Sequence, residues 1–429
     1  KRLNTINVLG YYGLIQMIKR EINSNYKWEV LALLWFAFLL NQADRQVFNI
    51  VMPLIKEDLQ LTDTQIGTIA TVFNLVYAIL VPFAGYMGDL FSRKWLVILS
   101  VLIFSIATMF TGLSNSMLML IIIRSVATGG GEAFYGPPNY ALLASYHKET
   151  RAFAMSIHQT SYYVGIILSG FVAGYIGEHW GWRSAFYVFG GIGILHGIVL
   201  IIRLKDKKEI QTNKHSGKVK ILEGFKMIFT TPTALILTIG FSGLIFVLTG
   251  YLTWMPTYLF ENFDMSLSLA GFHSMFYTHL FAFLGIFVAG RYSDVIAKKN
   301  PAARLLMQSF GLLMAVPFIF LMGHSQVILT VYIGFAGFGF ARAFFDANTY
   351  TVLYDVIPER YHSSASGVMI MIGFGVGSFA PLVLGAIKPI LGLSWGISSL
   401  SVVWLFCGIL LLVAYRFYFK KDYEKVHRI

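Results

Sequence analysis

Apolar runs of about twenty residues recur along the whole chain, each long enough to cross a bilayer core as a helix. Twelve can be drawn: 30–54, 64–87, 95–113, 117–145, 152–177, 183–203, 233–259, 268–290, 303–323, 327–356, 364–389 and 395–418. Inside lipid a backbone has to satisfy its own polar groups, so such runs fold as helices. The alternating pattern of a membrane β-barrel is missing. Of the 429 residues 56% are hydrophobic and 13% charged, where a soluble domain carries about 25% charge. An all-α integral membrane protein with no separate soluble domain is expected.

The second half of the chain repeats the first. Met52-Pro53-Leu54-Ile55-Lys56, Gly67 and Gly85-Tyr86-Met87-Gly88-Asp89 recur as Met255-Pro256-Thr257-Tyr258-Leu259, Gly271 and Gly290-Arg291-Tyr292-Ser293-Asp294. Each copy has an apolar span ending at Met-Pro, a polar turn, and a second span ending at Gly-x-x-x-Asp followed by basic residues. The expected organisation is a tail at 1–29, a six-helix bundle at 30–203, a linker at 204–232, a second six-helix bundle at 233–418 and a tail at 419–429. Within the linker, Ile221, Leu222, Phe225, Ile228 and Phe229 fall at helical spacing around Glu223 and Lys226, the pattern of an amphipathic helix lying on a membrane surface. In the first tail Tyr11, Ile15 and Ile18 can share one face. Internal repeats in so apolar a chain are a mark of secondary transporters.

The net charge of +12 does not signify nucleic acid, because its distribution is that of a topology signal. Arg93 and Lys94, Lys148 and Arg151, the run from Arg203 to Lys220, Arg291, Lys298 and Lys299, and the C-terminal lysines all fall on one side. The opposite loops are short and poor in basic residues, with Lys56 and Lys388 as exceptions. By the positive-inside rule both termini are cytoplasmic. Cys407, the single cysteine, lies within a span, so no intrachain disulfide can form. Zinc-binding His-Glu-x-x-His, a phosphate-binding glycine loop and Gly-x-Ser-x-Gly are all absent, which excludes the commonest enzyme classes. No metal or cofactor is expected, and transport without a nucleotide site implies an ion gradient as the driving force.

Gly85, Asp89, Arg93 and Lys94 match the loop signature Gly-x-x-x-Asp-Arg-x-Gly-Arg-Lys of the major facilitator superfamily, with Leu90 and Ser92 as departures, and Gly290 and Asp294 match its second copy. The chain resembles that family over essentially its whole length. The resemblance implies the major facilitator fold, with these six residues as a conformational latch. A carboxylate at a helix end can hold a neighbouring helix N-terminus or an arginine.

Within the superfamily three segments resemble the anion:cation symporters and the Spinster-like transporters: Asp44-Arg45 in span 1, Arg124 to Gly131-Glu132-Ala133 in span 4, and Gly181-Trp182-Arg183-Ser184-Ala185-Phe186. The spacing from Arg124 to Glu132 is eight, where the resemblance implies seven. One additional residue rotates Glu132 by about 100° unless a bulge at the glycines 129–131 absorbs it.

Ionisable residues at bilayer depth are costly and mark functional sites. From helical rise, Asp44 and Arg124 lie at similar depths and can pair, with Glu132 roughly 12 Å deeper than Arg124. Asp44, Glu132 and His158 are the candidate proton-coupling residues. Arg45, Arg124, Tyr162, Tyr251, Trp254, Arg342, Asp346 and Asn348 are the candidate substrate contacts. The span-7 positions matching Asp44 and Arg45 are the apolar Val247 and Leu248. Proton coupling is therefore expected in the first half, and more of the substrate contacts in the second. His273 and His279 read as structural.

Buried arginines neutralise carboxylates, so the leading expectation is a proton-coupled symporter of a small organic anion, such as a sugar acid, working by alternating access. A Spinster-like carrier of a lipid or lysolipid, opening laterally between spans 5 and 8, and a neutral-sugar proton symporter are the alternatives. The expected partners are a small-molecule substrate, protons and membrane lipids, with no nucleic acid. A monomer in a bacterial inner membrane is expected.

Overall fold

The computed structural model describes residues 2–147, 149–205, 221–298 and 300–427; side chains at positions 2–24, 85, 86, 89, 152, 221 and 363 lie outside that description. The first half comprises α1 (Arg2–Asp58), α2 (Asp63–Leu90), α3 (Arg93–Thr111), α4 (Met117–Leu120), a π-helical segment (Ile121–Thr128), α5 (Gly129–Ala133), α6 (Gly136–Tyr146), α7 (Arg151–Trp180) and α8 (Trp182–Arg203). After α9 (Ile221–Thr230) the second half follows as α10 (Pro232–Phe263), α11 (Leu267–Ala297), α12 (Ala303–His324), α13 (Ile328–Asp346), α14 (Thr349–Val356), α15 (His362–Gly377), α16 (Ala380–Phe417) and α17 (Phe419–His427). The residues expected to form an N-terminal tail and then span 1 are thus one continuous helix.

Turn chemistry sets the hairpins. Thr62 and Gln65 form a reciprocal capping box at the start of α2, and Ser92, Ser116 and Ser266 cap α3, α4 and α11. Each satisfies an amide that a helix start leaves open. Gly181 joins α7 to α8 at φ 80°, and Gly392 breaks α16 at φ 76°, backbone angles that a residue with a Cβ rarely adopts. Ten described segments are long and apolar enough to cross a membrane, and one of them, Ser364–Phe417, runs for 54 residues through the Gly392 break and so crosses twice. Span 1 within α1 is less apolar because its middle holds Asn41, Gln42, Asp44, Arg45, Gln46 and Asn49. With it the arrangement accommodates twelve crossings.

An even number of crossings puts both termini at one face; the other is called distal here. Helix α1 packs along α7, and α3 along α8; α12 lies between α13 and α16. The two halves meet where α7 runs against α11 and α2 against α16. Those seams tighten toward the distal face, where Gly170 lies against Gly271 and Gly67 against Pro381. The amphipathic α9 packs beside α15 and leaves Leu222 and Phe229 exposed.

Candidate functional site: a charged cavity between the halves

A cavity of about 310 Å³ opens between the halves. Its first-half wall begins with a stripe along α1: Phe38, Gln42, Arg45, Gln46 and Asn49 recur every three or four residues and so share one helix face. Asn74 and Tyr77 of α2, Arg124 and Glu132, Tyr140 of α6, and Gln159 and Tyr162 of α7 add to it. The second half contributes Ile245, Leu248, Thr249, Leu252 and Thr253 of α10 and Phe374 of α15.

The charges form one cluster. Arg45 donates through Nε to Glu132 Oε2 at 2.5 Å, and its guanidinium lies over the Tyr77 ring at 4.0 Å. Asp44, buried on the adjacent face, accepts the Thr108 hydroxyl at 2.7 Å on both oxygens. Arg124 donates through Nη2 to the Arg45 carbonyl at 3.3 Å and lies over the Phe73 ring at 4.0 Å. Its Nε and Nη1 are buried and have no hydrogen-bond partner, and neither has Glu132 Oε1. Asp44 and Glu132 both lie near that guanidinium, but Asp44 and Arg124 do not touch as a salt bridge. The pair that touches is Arg45 with Glu132, because the long Arg45 side chain reaches down to the deeper carboxylate.

The eight-residue spacing is reconciled by backbone geometry. Eight α-helical steps leave two side chains about 80° apart, and seven leave them about 20° apart. Residues Ile121–Thr128 are π-helical, and i→i+5 pairing takes in one additional residue without the additional rotation. Arg124 and Glu132 therefore both line the cavity. The adjustment ends at Thr128, directly before the glycines at which a bulge was expected. Thr128 Oγ1 donates back to the Ile123 carbonyl at 3.2 Å, and Ser125 Oγ to the Ile69 carbonyl of α2 at 2.7 Å.

This fold and sequence have clear relatives. A family model, Major Facilitator Superfamily, matches residues 34–381. The chain belongs to the Major Facilitator Superfamily. Protein spinster homolog 1 of Xenopus laevis is 26% identical over 84% of this chain and 72% of its own length. The hexuronate transporter of Bacillus subtilis is 25% identical over 85% of this chain and 88% of its own. A crystal structure of a bacterial homologue of the human lysosomal transporter Spinster, inward-facing and unoccupied, has a TM-score of 0.77 at 21% identity, covering 94% of this chain and 98% of that one. The superfamily fold of two pseudo-symmetric bundles, and a transporter rather than an enzyme, follow for this chain.

Other expected site residues are placed as follows. His158 is fully buried behind the cavity wall, stacked on Phe38 at 4.8 Å, with its Nε2 3.0 Å from Asn139 Nδ2. Tyr251 and Trp254 do not line this cavity. The Tyr251 hydroxyl donates to the Ser274 carbonyl and meets Thr278 Oγ1, while Trp254 Nε1 donates to the Pro381 carbonyl at 2.9 Å. The cavity face of α10 carries residues 245, 248, 249, 252 and 253, and positions 251 and 254 fall on the other side. Arg342 and Asp346 pair with each other at 3.0 Å, and Asn348 donates to Ser293 Oγ at 2.8 Å; these three also lie outside the cavity wall. Buried His279 stands between Tyr162 and Tyr163 of α7, about equally far from both rings.

Of the latch residues, Gly85 and Asp89 lie outside the described side chains. Arg93 Nε donates to the Gly88 carbonyl at 3.4 Å, and Lys94 lies over the Trp95 ring at 5.2 Å. Asp294 sits 3.6 Å from Arg304, which also reaches Asp355 at 3.5 Å, a contact within the second half. Around Gly290 there is open space.

The carboxamides of Gln42, Gln46, Asn49, Asn74 and Gln159 were not among the expected site residues. For Gln42, Gln46 and Asn49 the three-and-four periodicity on span 1, in step with Arg45, was the signal available.

Proposed function

We propose that the protein is a proton-coupled symporter of a small polyhydroxylated organic anion, of the sugar-acid kind, working by alternating access. The observation that carries this reading is the Arg124 guanidinium, buried at the cavity wall with two N–H groups unpartnered. An unsatisfied buried guanidinium is costly, and substrate oxygens reaching Nε and Nη1 complete it with charge-assisted hydrogen bonds. The carboxamides around it donate and accept at once, which suits an array of hydroxyl groups. Two of the relatives, a hexuronate transporter and a probable L-galactonate transporter, have names that agree with this class.

Arg45 and Arg124 favour the ionised forms of Asp44 and Glu132 against the cost of burial while the cavity is empty. Substrate arriving at Arg124 competes for that positive charge. The carboxylates lose support in a low-dielectric site and gain proton affinity. Proton and anion then load together, and release of the anion favours release of the proton. Coupling requires this change of affinity between states, not simply a buried acid. In this structure the halves close on the distal side, which corresponds to an inward-facing state with both termini cytoplasmic. A monomer in a bacterial inner membrane completes the reading.

The apolar wall of Ile245, Leu248, Leu252 and Phe374 favours a second reading, a Spinster-like lipid or lysolipid carrier. Against it stands the other half of the wall, where guanidinium, carboxylate and carboxamide groups face the cavity.

Uptake into proteoliposomes under an imposed inward proton gradient tests the proposal, with sugar acids, neutral sugars and lysolipids compared. Accumulation of a sugar acid is expected. Accumulation of a neutral sugar or a lysolipid in its place would reject the anion reading.

A further inference from the structure

Lys56 and Lys388 are the two basic residues that break the charge pattern of the distal loops, and the fold brings them together on one carboxylate. Lys56 Nζ lies 2.7 Å from Asp63 Oδ1 and Lys388 Nζ 3.0 Å from the same oxygen. Lys388 also reaches Glu261 at 2.7 Å. Asp63 belongs to the first half and Lys388 to the second, so this chain of charges crosses between them. Both side chains are 12% exposed, so each depends on the other more than a surface pair does.

A second cross-half contact lies beside it. Glu178, at the end of α7, accepts the backbone N–H of Leu267 and, at 3.0 Å, the hydroxyl of Ser268. These are the first two residues of α11, so a carboxylate of one half closes the positive end of a helix of the other. One and two turns below, Gly174 and Gly170 allow α7 to touch the α11 backbone. A Cβ at Gly174 would fall 2.4 Å from the Ser268 nitrogen.

We propose that the Lys56–Asp63–Lys388–Glu261 chain and the Glu178 cap, seated on the Gly170–Gly271 crossing, form the lock of the distal gate. The lock holds the state seen here and must open for the cavity to face the distal side. Three parts share the work: a charge bridge from α2 to α16, a helix cap from α7 to α11, and a backbone crossing with no room for a side chain. The inference rests on the two-state cycle proposed above but not on the identity of the substrate or on proton coupling.

Accessibility of a cavity-wall cysteine tests it. In a Cys407→Ser background, Leu252→Cys reports on the cavity, and a membrane-impermeant maleimide is applied separately from each face. With the lock intact, labelling proceeds from the termini face. Asp63→Asn, Lys388→Gln and Glu178→Gln should each raise the distal labelling rate by about tenfold or more, the usual scale of coupling between states, and Lys388→Arg should stay near the parent. Gly170→Leu should raise it too, by steric blockage and not by charge. A variant that fails to insert is recognised by loss of labelling from both faces, and the remaining variants then decide. Parent-level distal labelling in Asp63→Asn, Lys388→Gln and Gly170→Leu would overturn the lock. Neither substrate nor gradient enters the assay, so that result leaves the anion reading standing, and a failed uptake screen leaves the lock standing.

Discussion

The two halves share a fold and differ in what they show the cavity. The alignment of the repeats holds at the charged pair of span 1. Leu248 lines the cavity as Arg45 does, while Val247 is buried to the side as Asp44 is. At the first pair a guanidinium has become isobutyl, and at the second a carboxylate has become isopropyl. The second half keeps a charged pair, Arg342 with Asp346, but at i,i+4 on one helix, with Arg342 Nη1 buried and without a hydrogen-bond partner. The first half strings its charges across three helices, where no single element can satisfy them. A fold built from many apolar positions tolerates such divergence, since each helix needs only its packing face. The proposed coupling site needs charges whose partners can be exchanged, and one half would suffice to hold them.

Arg124→Gln is expected to have the largest effect. Two charge-assisted hydrogen bonds are lost, each worth about 1.5–3 kcal/mol, so binding of an anionic substrate should weaken by about 100-fold or more. Arg124→Lys should restore little, because an ammonium cannot present a planar fork. Calorimetric titration or binding by fluorescence measures both. Unchanged affinity in Arg124→Gln would break the comparison at its centre and favour the neutral-sugar or lipid reading.

Next come the carboxylates. Asp44→Asn and Glu132→Gln should each abolish accumulation driven by a pH gradient, while at least one keeps substrate binding and gradient-free exchange. Glu132→Gln also removes the ionic partner of Arg45, so that variant is the one expected to retain affinity. If both still accumulate substrate under the gradient, coupling lies elsewhere; His158 would be examined first, and a uniporter would be the remaining explanation.

A smaller effect is expected across the cavity. Arg342→Gln should change the apparent substrate affinity by less than about tenfold, since Arg342 spends its Nε on Asp346 and lies outside the cavity wall. A loss as large as that of Arg124→Gln would show that the second half joins the site in another state of the cycle, and the asymmetry would then belong to one state only.

The membrane class and the repeat were legible because they rest on many residues at once. The apolar runs, the Met-Pro turns and the basic loops all say the same thing. The charged residues of the first half were legible because each is anomalous in lipid. Which of them touch was not. Rise per residue gave the depth of the Cα atoms and so paired Asp44 with Arg124, but side-chain reach pairs Arg45 with Glu132. The π-helical segment was foreshadowed by an eight-residue spacing, yet its position depends on the i→i+5 bonds themselves, which no local residue pattern announces. The carboxamides were missed because an amide in a membrane helix is less conspicuous than a charge. Tyr251 and Trp254 were chosen by residue type. Their helical phase, with Tyr258 on the same side, already separated them from positions 245, 248, 249 and 252.

The smallest effect concerns that phase directly. Tyr251→Phe removes a hydroxyl that donates to the Ser274 carbonyl and meets Thr278 Oγ1, and it leaves the ring against Phe335 and Phe338. The Ser274 carbonyl sits within α11 and keeps its helical bond, so no buried acceptor is wholly abandoned. The cost should be near that of one ordinary hydrogen bond, about 1 kcal/mol, seen as a modest drop in the thermal midpoint of the detergent-solubilised protein. Substrate affinity should stay at the parent value, because the hydroxyl joins α10 to α11 inside one half and does not face the cavity. Lowered stability with unchanged affinity would place Tyr251 in the packing of the second half. Unchanged stability with affinity lowered about tenfold would instead put its hydroxyl on the substrate, and the second half would then hold a polar contact that the cavity of this state conceals.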